Sequence, residues 1–414
     1  MEKVEKNVIS RTDPPTPSGL KHGQLTEKDY IPLTHNQFGN ILRNRAATLK
    51  GAMFFDHGMT VCNCPKEQLS PGCLACKSGT WICVFPGFNC NAECRFCPRL
   101  TEQNIERQMN EKQMNLLFAL IARRAQRIRG LSISGGELFH DNLQSAKKIL
   151  RHVKMHHPHI YLWGYTNGIG ATRENMEELR DLGMDEIRFN LAATDFRADI
   201  ISKIREHAVR IFPWVTVEVP AYSQTLDYMI QRGGLKELSD IGVRQLNLAE
   251  VRVPSPPPGS KNVAPASKTF LGRHPLYEYK NQFGNSYMTL AESRLITWDI
   301  LDYAHKNGFT IPINDCSQDA KTLHTVQSYM KRLFIIQTYA NGPIEDFFLH
   351  RKKRNIKSIA LRAVAELSAI HPRLGAAAAM TMGDISILPF TRVGRIIRRI
   401  RRSSRWIPKP LASE

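Results

Sequence analysis

From Trp81 onward, short apolar runs alternate with amphipathic stretches of helical period, the pattern of βα units laid into a parallel sheet. Residues 81–85, 130–134, 160–165, 186–191, 215–219 and 245–251 read as strands. Between them, 102–127, 143–156 and 173–182 read as helices, the first with Thr101 as its N-cap. A helix over 290–307 and a strand over 309–313 extend the series. Six βα repeats are too few to close an eight-stranded barrel and enough for an open one. The expected fold is therefore α/β, a partial (open) TIM-type (β/α)6 barrel with an N-terminal cysteine-rich metal-binding segment and a C-terminal helical extension.

The pattern weakens outside this region. Residues 1–30 are polar, with Pro14, Pro15 and Pro17 close together, and read as a loosely attached arm. A short helix is expected over 38–49. Residues 254–268 (PSPPPGSKNVAPASK) form a long loop after the sixth strand. Beyond Thr325 the segments read as helical, through 359–370, and no internal repeat is visible. The expected organisation is an arm with a short helix (1–60), a cysteine-rich knuckle (61–79), the partial barrel (80–318), and a helical extension with a basic tail (319–414).

Composition narrows the class. The chain has 414 residues, 42% of them hydrophobic, enough for a substantial core. Nothing at its start has the basic and apolar regions of a signal peptide, and no window approaches the roughly 18–20 apolar residues needed to span a bilayer. A soluble, cytoplasmic protein is expected. Eight of the nine cysteines fall between Cys62 and Cys97, in CxC, CxxC and CxxxCxxC spacings. Such spacings suit metal or cluster ligation in a reducing compartment better than a disulfide framework. The net charge of +19 is concentrated late in the chain: Arg351–Arg354 is one basic run, and residues 392–409 carry Arg392, Arg395, Arg398, Arg399, Arg401, Arg402, Arg405 and Lys409 with no acidic residue. This tail suits an acidic partner, nucleic acid or an anionic membrane, and equally a solvated end.

The most specific signal is Cys90-Asn-Ala-Glu-Cys94-Arg-Phe-Cys97, directly after the first strand. Three thiolates at these spacings bind three irons of a [4Fe-4S] cluster and leave the fourth open. A structural zinc site would need a fourth ligand from elsewhere. Downstream, Ser134-Gly135-Gly136-Glu137 closes the second strand and Tyr165-Thr166-Asn167-Gly168 the third. Two glycines permit close approach of a ligand, and a carboxylate can meet its ammonium group, although each segment alone is also ordinary turn chemistry.

With Phe96 before the last cysteine and the GGE element about one βα unit later, residues 81–251 resemble the radical S-adenosylmethionine (SAM) superfamily. The TNG segment is similar to that of branches including glycyl-radical activating enzymes and peptide maturases. The resemblance implies a cluster on Cys90, Cys94 and Cys97, and SAM held near Phe96, Gly135, Gly136, Glu137, Thr166 and Asn167; Asn190, a polar residue in the otherwise apolar fourth strand, is a candidate ribose contact or a satisfied polar residue at a strand end. It also implies an electron donor such as flavodoxin or ferredoxin, and a 5′-deoxyadenosyl radical that abstracts hydrogen from a small-molecule or peptide substrate. Glu218 and Glu250 are weaker candidates for the same mouth, or solvent-facing carboxylates. The chain has no DxHxxG pattern for cobalamin.

Upstream, Cys62-Asn-Cys64 and Cys73-Leu-Ala-Cys76 supply four thiolates on two tight corners, a set suited to structural zinc or a second iron–sulfur cluster, with Cys83 either an alternative ligand or a packed side chain. This site precedes the CxxxCxxC motif, unlike familiar auxiliary-cluster arrangements, and leaves the subfamily open. Cys316, after the strand over 309–313, is a candidate hydrogen-atom donor or substrate contact, or simply packed. The readings that follow are a radical enzyme of a biosynthetic route, an activating enzyme acting on a protein, and a non-catalytic zinc or nucleic-acid-binding protein.

Overall fold

The structure is a computed structural model that describes residues 31–92, 94, 96–97, 108–253, 276–280, 286–331 and 333. All described residues lie in one unit, Met1–Phe348. The arm over 1–30, Thr101 with 102–107, the loop over 254–268, the helix over 359–370 and both basic runs fall outside the described residues.

Among the described residues twelve strands are formed: β1 (Met53–Phe55), β2 (Thr60–Cys62), β3 (Trp81–Val84), β4 (Gly130–Ile133), β5 (Tyr161–Thr166), β6 (Glu186–Phe189), β7 (Trp214–Pro220), β8 (Gln245–Ala249), β9 (Arg252–Val253), β10 (Leu276–Lys280), β11 (Ser286–Leu290) and β12 (Ile313–Cys316). Nine make one sheet in the order β1-β2-β12-β8-β7-β6-β5-β4-β3, and β10-β11-β9 make a small second one. From β3 to β8 each neighbour is parallel, and β12 joins β8 as a seventh parallel strand. β2 and β1 then add antiparallel at that edge. The sheet is open, as expected for a partial barrel, because its order has two ends rather than a closing pair.

The sheet's period of two explains its mixed sequence. Ile82, Val84, Leu131, Ile133, Leu162, Ile187, Phe189, Val215, Val217, Leu246, Leu248 and Ile313 enter one buried core. Helices Glu111–Ala122, Leu143–His156 and Arg173–Asp181 supply its other half; the second buries Ala146, Ile149, Leu150 and Val153, a stripe at helical spacing. The alternate positions Glu186, Arg188, Thr216, Gln245, Asn247 and Asn314 are also buried, yet polar. Against this inner face lies the short helix Pro71–Lys77, capped by Ser70. Ser70 donates its backbone N–H to Gln245 Oε1 at 2.6 Å. A Cβ on Gly72 would stand 2.7 Å from Arg188 Nη2 and 2.8 Å from Glu186 Oε2, so only glycine lets the helix sit this close.

Arg188 sits at the centre of the inner face. It donates to Glu186 Oε1 at 2.8 Å and to Glu218 Oε2 at 2.9 Å, and reaches Tyr165 Oη, Ser70 Oγ and Cys73 Sγ. Its guanidinium also stands 5.0 Å from the Trp163 ring centroid.

Several expectations shift at element ends. The helix expected over 102–127 is formed as Glu111–Ala122, because Asn110 and Gln113 close a capping box there. The strand expected over 309–313 is formed instead at Ile313–Cys316: Pro312 has no N–H to donate, and its carbonyl accepts from Leu246 N at 2.9 Å. The helix expected over 38–49 starts earlier, at His35, where Thr34 and Gln37 form a second capping box. Glu250 is not solvent-facing: it is 3% exposed and accepts from Gln318 N at 2.6 Å and from Tyr277 Oη. No described helix is long and apolar enough to cross a membrane.

Removing Arg188 leaves Glu186, which is fully buried, without its cation. Arg188→Met is expected to lower the unfolding free energy by about 3–5 kcal/mol in denaturant titration, and adding Glu186→Gln is expected to recover part of that loss.

Candidate active site at the carboxyl ends of the parallel strands

The segment that follows β3 runs across the turn that follows β4. Gly136 N donates to Gly87 O at 2.9 Å and Glu137 N to Asn89 O at 2.8 Å. A Cβ on Gly136 would lie 1.9 Å from Asn89 O, and Gly135 has φ +113° with its Cβ position 2.5 Å from Gly87 O. The two glycines thus admit the chain's own backbone immediately before Cys90. Asn142 Nδ2 to Gly87 O (3.3 Å) and Asn89 Nδ2 to Asp141 Oδ2 (2.7 Å) fasten the same stem.

Glu137 has its carboxylate turned inward and is 2% exposed. Its oxygens accept from Thr166 Oγ1, from Asn167 N at 2.7 Å and from Phe139 N at 3.1 Å. Burial raises its pKa, and these hydrogen bonds oppose the shift without cancelling it. Glu137 therefore holds the end of β5 in place. Asn167 Nδ2 in turn donates to Asn91 Oδ1 at 2.8 Å and lies 3.9 Å from Cys90 Sγ. Cys90, Gly135, Gly136, Glu137, Thr166 and Asn167 are thus brought together at one end of the sheet.

Cys94 and Cys97 share a turn, with Cys97 N donating to Cys94 O at 3.1 Å. The Phe96 ring lies 5.8 Å from that of Tyr222, whose hydroxyl is pushed up to about 12 by burial, with Asp195 and Cys94 adding to the shift. Asn190 follows β6, its N–H on Thr166 O at 2.8 Å. Its side-chain Oδ1 is buried with no partner among the described residues, an acceptor that suits a ligand hydroxyl.

Of the remaining cysteines, Cys316 ends β12, itself a parallel strand, and the others lie on β2, β3 and the segment 63–77. Cys62 Sγ donates to Cys64 O at 3.1 Å, and Cys62, Cys64 and Cys73 pack with Leu69 in one buried cluster. Cys76 Sγ is 3.4 Å from Nδ1 of His324, whose imidazole is pushed down to about 3 by burial and by Lys321 and Lys77. Burial pushes the thiols of Cys76 and Cys83 up to about 12. Cys316 ends β12 and accepts from Asn314 Nδ2 at 3.0 Å. Glu218 is bound by Arg188 and Asn247 on the inner face. Sequence reasoning missed His324, Asn247 and Asn314, since none belongs to a motif and only the strand register and the packing of Gln318–Met330 bring them to the sulfurs.

A methyl group at Gly136 must displace Asn89 and with it the stem of Cys90. Gly136→Ala is expected to weaken iron uptake by Cys90, Cys94 and Cys97 about 10–100-fold, measured by anaerobic iron titration, with far-UV circular dichroism unchanged.

No curated protein matches the chain. Among solved structures, BtrN in complex with AdoMet and 2-DOIA is 18% identical, covers 34% of this chain and 56% of its own, and has a TM-score of 0.29. SuiB of Streptococcus suis bound to S-adenosylmethionine is 12% identical, covers 58% and 47%, and has a TM-score of 0.38. TsrM of Kitasatospora setae, a radical S-adenosylmethionine methyltransferase with tryptophan and a SAM analogue bound, is 12% identical, covers 68% and 64%, and has a TM-score of 0.37. The chain thus spans about half the length of BtrN and SuiB. Residues 84–212, from the end of β3 past β6, match the family model described as the Radical SAM superfamily. Over those residues alone the chain is similar to the Radical SAM superfamily, a similarity that implies an iron–sulfur cluster and SAM as cofactors.

Proposed function

We propose that this protein is a radical SAM enzyme in which Cys90, Cys94 and Cys97 hold a [4Fe-4S] cluster and Gly135, Gly136, Thr166, Asn167 and Asn190 border the SAM site, with Phe96 flanking it. One observation carries the reading: the stem of Cys90 is docked on Gly135 and Gly136 at the same sheet end where Asn167 reaches Cys90 and Asn190 offers a buried acceptor. The residues fit the group. Three cysteines lie on one eight-residue loop, which leaves one iron without a protein ligand.

Held by Cys90, Cys94 and Cys97, a [4Fe-4S] cluster would supply one-electron reduction of bound SAM and, through it, hydrogen-atom abstraction from a small-molecule or peptide substrate. The chain's own groups bind and orient. Glu137 holds Thr166 and Asn167 rather than reaching outward, so its part is positioning through β5. An external one-electron donor such as flavodoxin or ferredoxin completes the balance.

The test is anaerobic reconstitution with iron and sulfide followed by dithionite and SAM. Wild-type protein is expected to bind a cluster and release 5′-deoxyadenosine, and the Cys90→Ala/Cys94→Ala/Cys97→Ala variant neither. Well-folded wild-type protein that takes up no cluster and forms no 5′-deoxyadenosine overturns the proposal. Asn190→Ala is expected to weaken SAM binding by about 1–3 kcal/mol in equilibrium titration of the reconstituted protein.

A further inference from the structure

The inner-facing residues at the carboxyl ends of the parallel strands are open where their neighbours are not. Tyr165, Glu218, Ala249 and Cys316 are half-buried, while Thr166, Val219, Leu248 and Asp315 beside them are buried. Side chains alternate across a strand, so these four continue the inner series of Trp163, Thr216, Asn247 and Asn314. Asn190, after β6, is half-buried as well. The strands run parallel from β3 to β8 and on to β12, so this opening lies at the same end of the sheet as Cys90.

Register places Cys316 there. Asn314 stands beside Asn247, and Cys316 beside Ala249. Asn314 Nδ2 donates to Cys316 Sγ and to Asn247 Oδ1, each at 3.0 Å. The amide donates to the sulfur, so the thiol's own hydrogen is not spent in that bond. Burial holds the thiol protonated, with Glu218 and Cys73 adding to the shift. Asn314 is itself fully buried, and its Oδ1 accepts from no described residue. A buried acceptor left without a donor is costly, and this one belongs to the amide that holds Cys316.

We propose that Cys316 is the hydrogen-atom donor that closes the radical left on a substrate carbon, with Asn314 steadying its sulfur and accepting a substrate N–H or O–H through Oδ1. The proposal rests on the radical SAM reading and adds the fate of the substrate radical. The S–H bond breaks, a C–H bond forms, and the sulfur is left as a thiyl radical. One electron from the external donor and one proton from solvent restore the thiol. An S–H bond is weaker than an aliphatic C–H bond, which gives the transfer its direction. The residues that border SAM follow β4, β5 and β6, whereas β12 is three strands beyond β6. Hydrogen therefore leaves the substrate on one side and returns from another. The substrate is neither oxidised nor reduced, the outcome of inversion at a carbon stereocentre.

Two readouts test this. The first uses the full-length Cys90→Ala/Cys94→Ala/Cys97→Ala protein, so that no cluster is involved. Methyl methanethiosulfonate is expected to modify Cys316 several-fold faster than the buried Cys62 and Cys73, read by peptide mass mapping. Cys316 that reacts no faster than they do overturns the proposal, because a substrate could not reach it. The second uses reconstituted protein with dithionite and SAM in D2O and no added substrate. A thiol hydrogen exchanges with solvent and a carbon-bound one does not. With no substrate in between, the same thiol supplies the hydrogen of 5′-deoxyadenosine. The deuterated fraction is expected to be several-fold higher for wild-type protein than for Cys316→Ala. Cys316→Ser keeps an exchangeable hydroxyl in the same place, but its O–H bond is too strong to donate, so this variant is expected to match Cys316→Ala. Equal deuterium in all three proteins overturns the proposal and leaves the radical SAM reading standing. No 5′-deoxyadenosine from cluster-loaded wild-type protein overturns both.

Discussion

A guanidinium buried inside a parallel sheet is the constraint around which this structure is arranged. Arg188 is 3% exposed, and removing a charge from water costs several kcal/mol unless its partners are close and well directed. Glu186 and Glu218 from two neighbouring strands supply the counter-charge, while Trp163 and Tyr165 cover the guanidinium faces. Satisfying Arg188 also draws in Ser70 and Cys73, so the short helix that fills the inner face is tied to the same group. The sheet can therefore carry polar residues on one face and an apolar core on the other without exposing either.

That arrangement leaves the carboxyl ends of the strands for chemistry. Parallel strands all point the same way, so the loops after β3, β4, β5 and β6 emerge side by side, as in other βα barrels. Backbone contact does the fine positioning here: the stem of Cys90 lies on Gly135 and Gly136, and Glu137 secures the next loop through Thr166 and Asn167. The GGE element therefore acts chiefly as a joint between loops. A buried carboxylate that accepts from Thr166, Asn167 and Phe139 is suited to holding loop geometry rather than to exchanging protons with solvent.

The inner face has a second consequence. On this face Pro71–Lys77 and Gln318–Met330 pack on one another, and Gly79, just past the first of them, lies so close to Gln327 and Ser328 that any Cβ there would clash. Cys76 and His324 meet at this junction. Filling an open barrel with a cysteine-bearing helix makes thiol chemistry and barrel architecture one problem in this chain.

The parallel series of strands was legible because each strand is buried on its helix-facing side by Val, Ile, Leu or Phe, and the helices between them show a stripe at their own period. CxxxCxxC with Phe96, the GGE element and TNG were legible because they are local and their spacing is chemically restrictive. Three-residue strands such as β1 and β2 were not, since so short a run has no period to detect. Pairing was equally invisible: that β12 adds beside β8, so that Asn314 meets Asn247 and Cys316 faces the inner sulfurs, depends on register between segments more than sixty residues apart. What the sequence by itself determined was the type of elements and the CxxxCxxC, GGE and TNG motifs with their spacing, because those depend on neighbours within a few residues. Which face Arg188 occupies, what Glu137 holds and which groups surround Cys73 and Cys76 were decided only by tertiary structure, because burial and hydrogen-bond partners are properties of the packed chain.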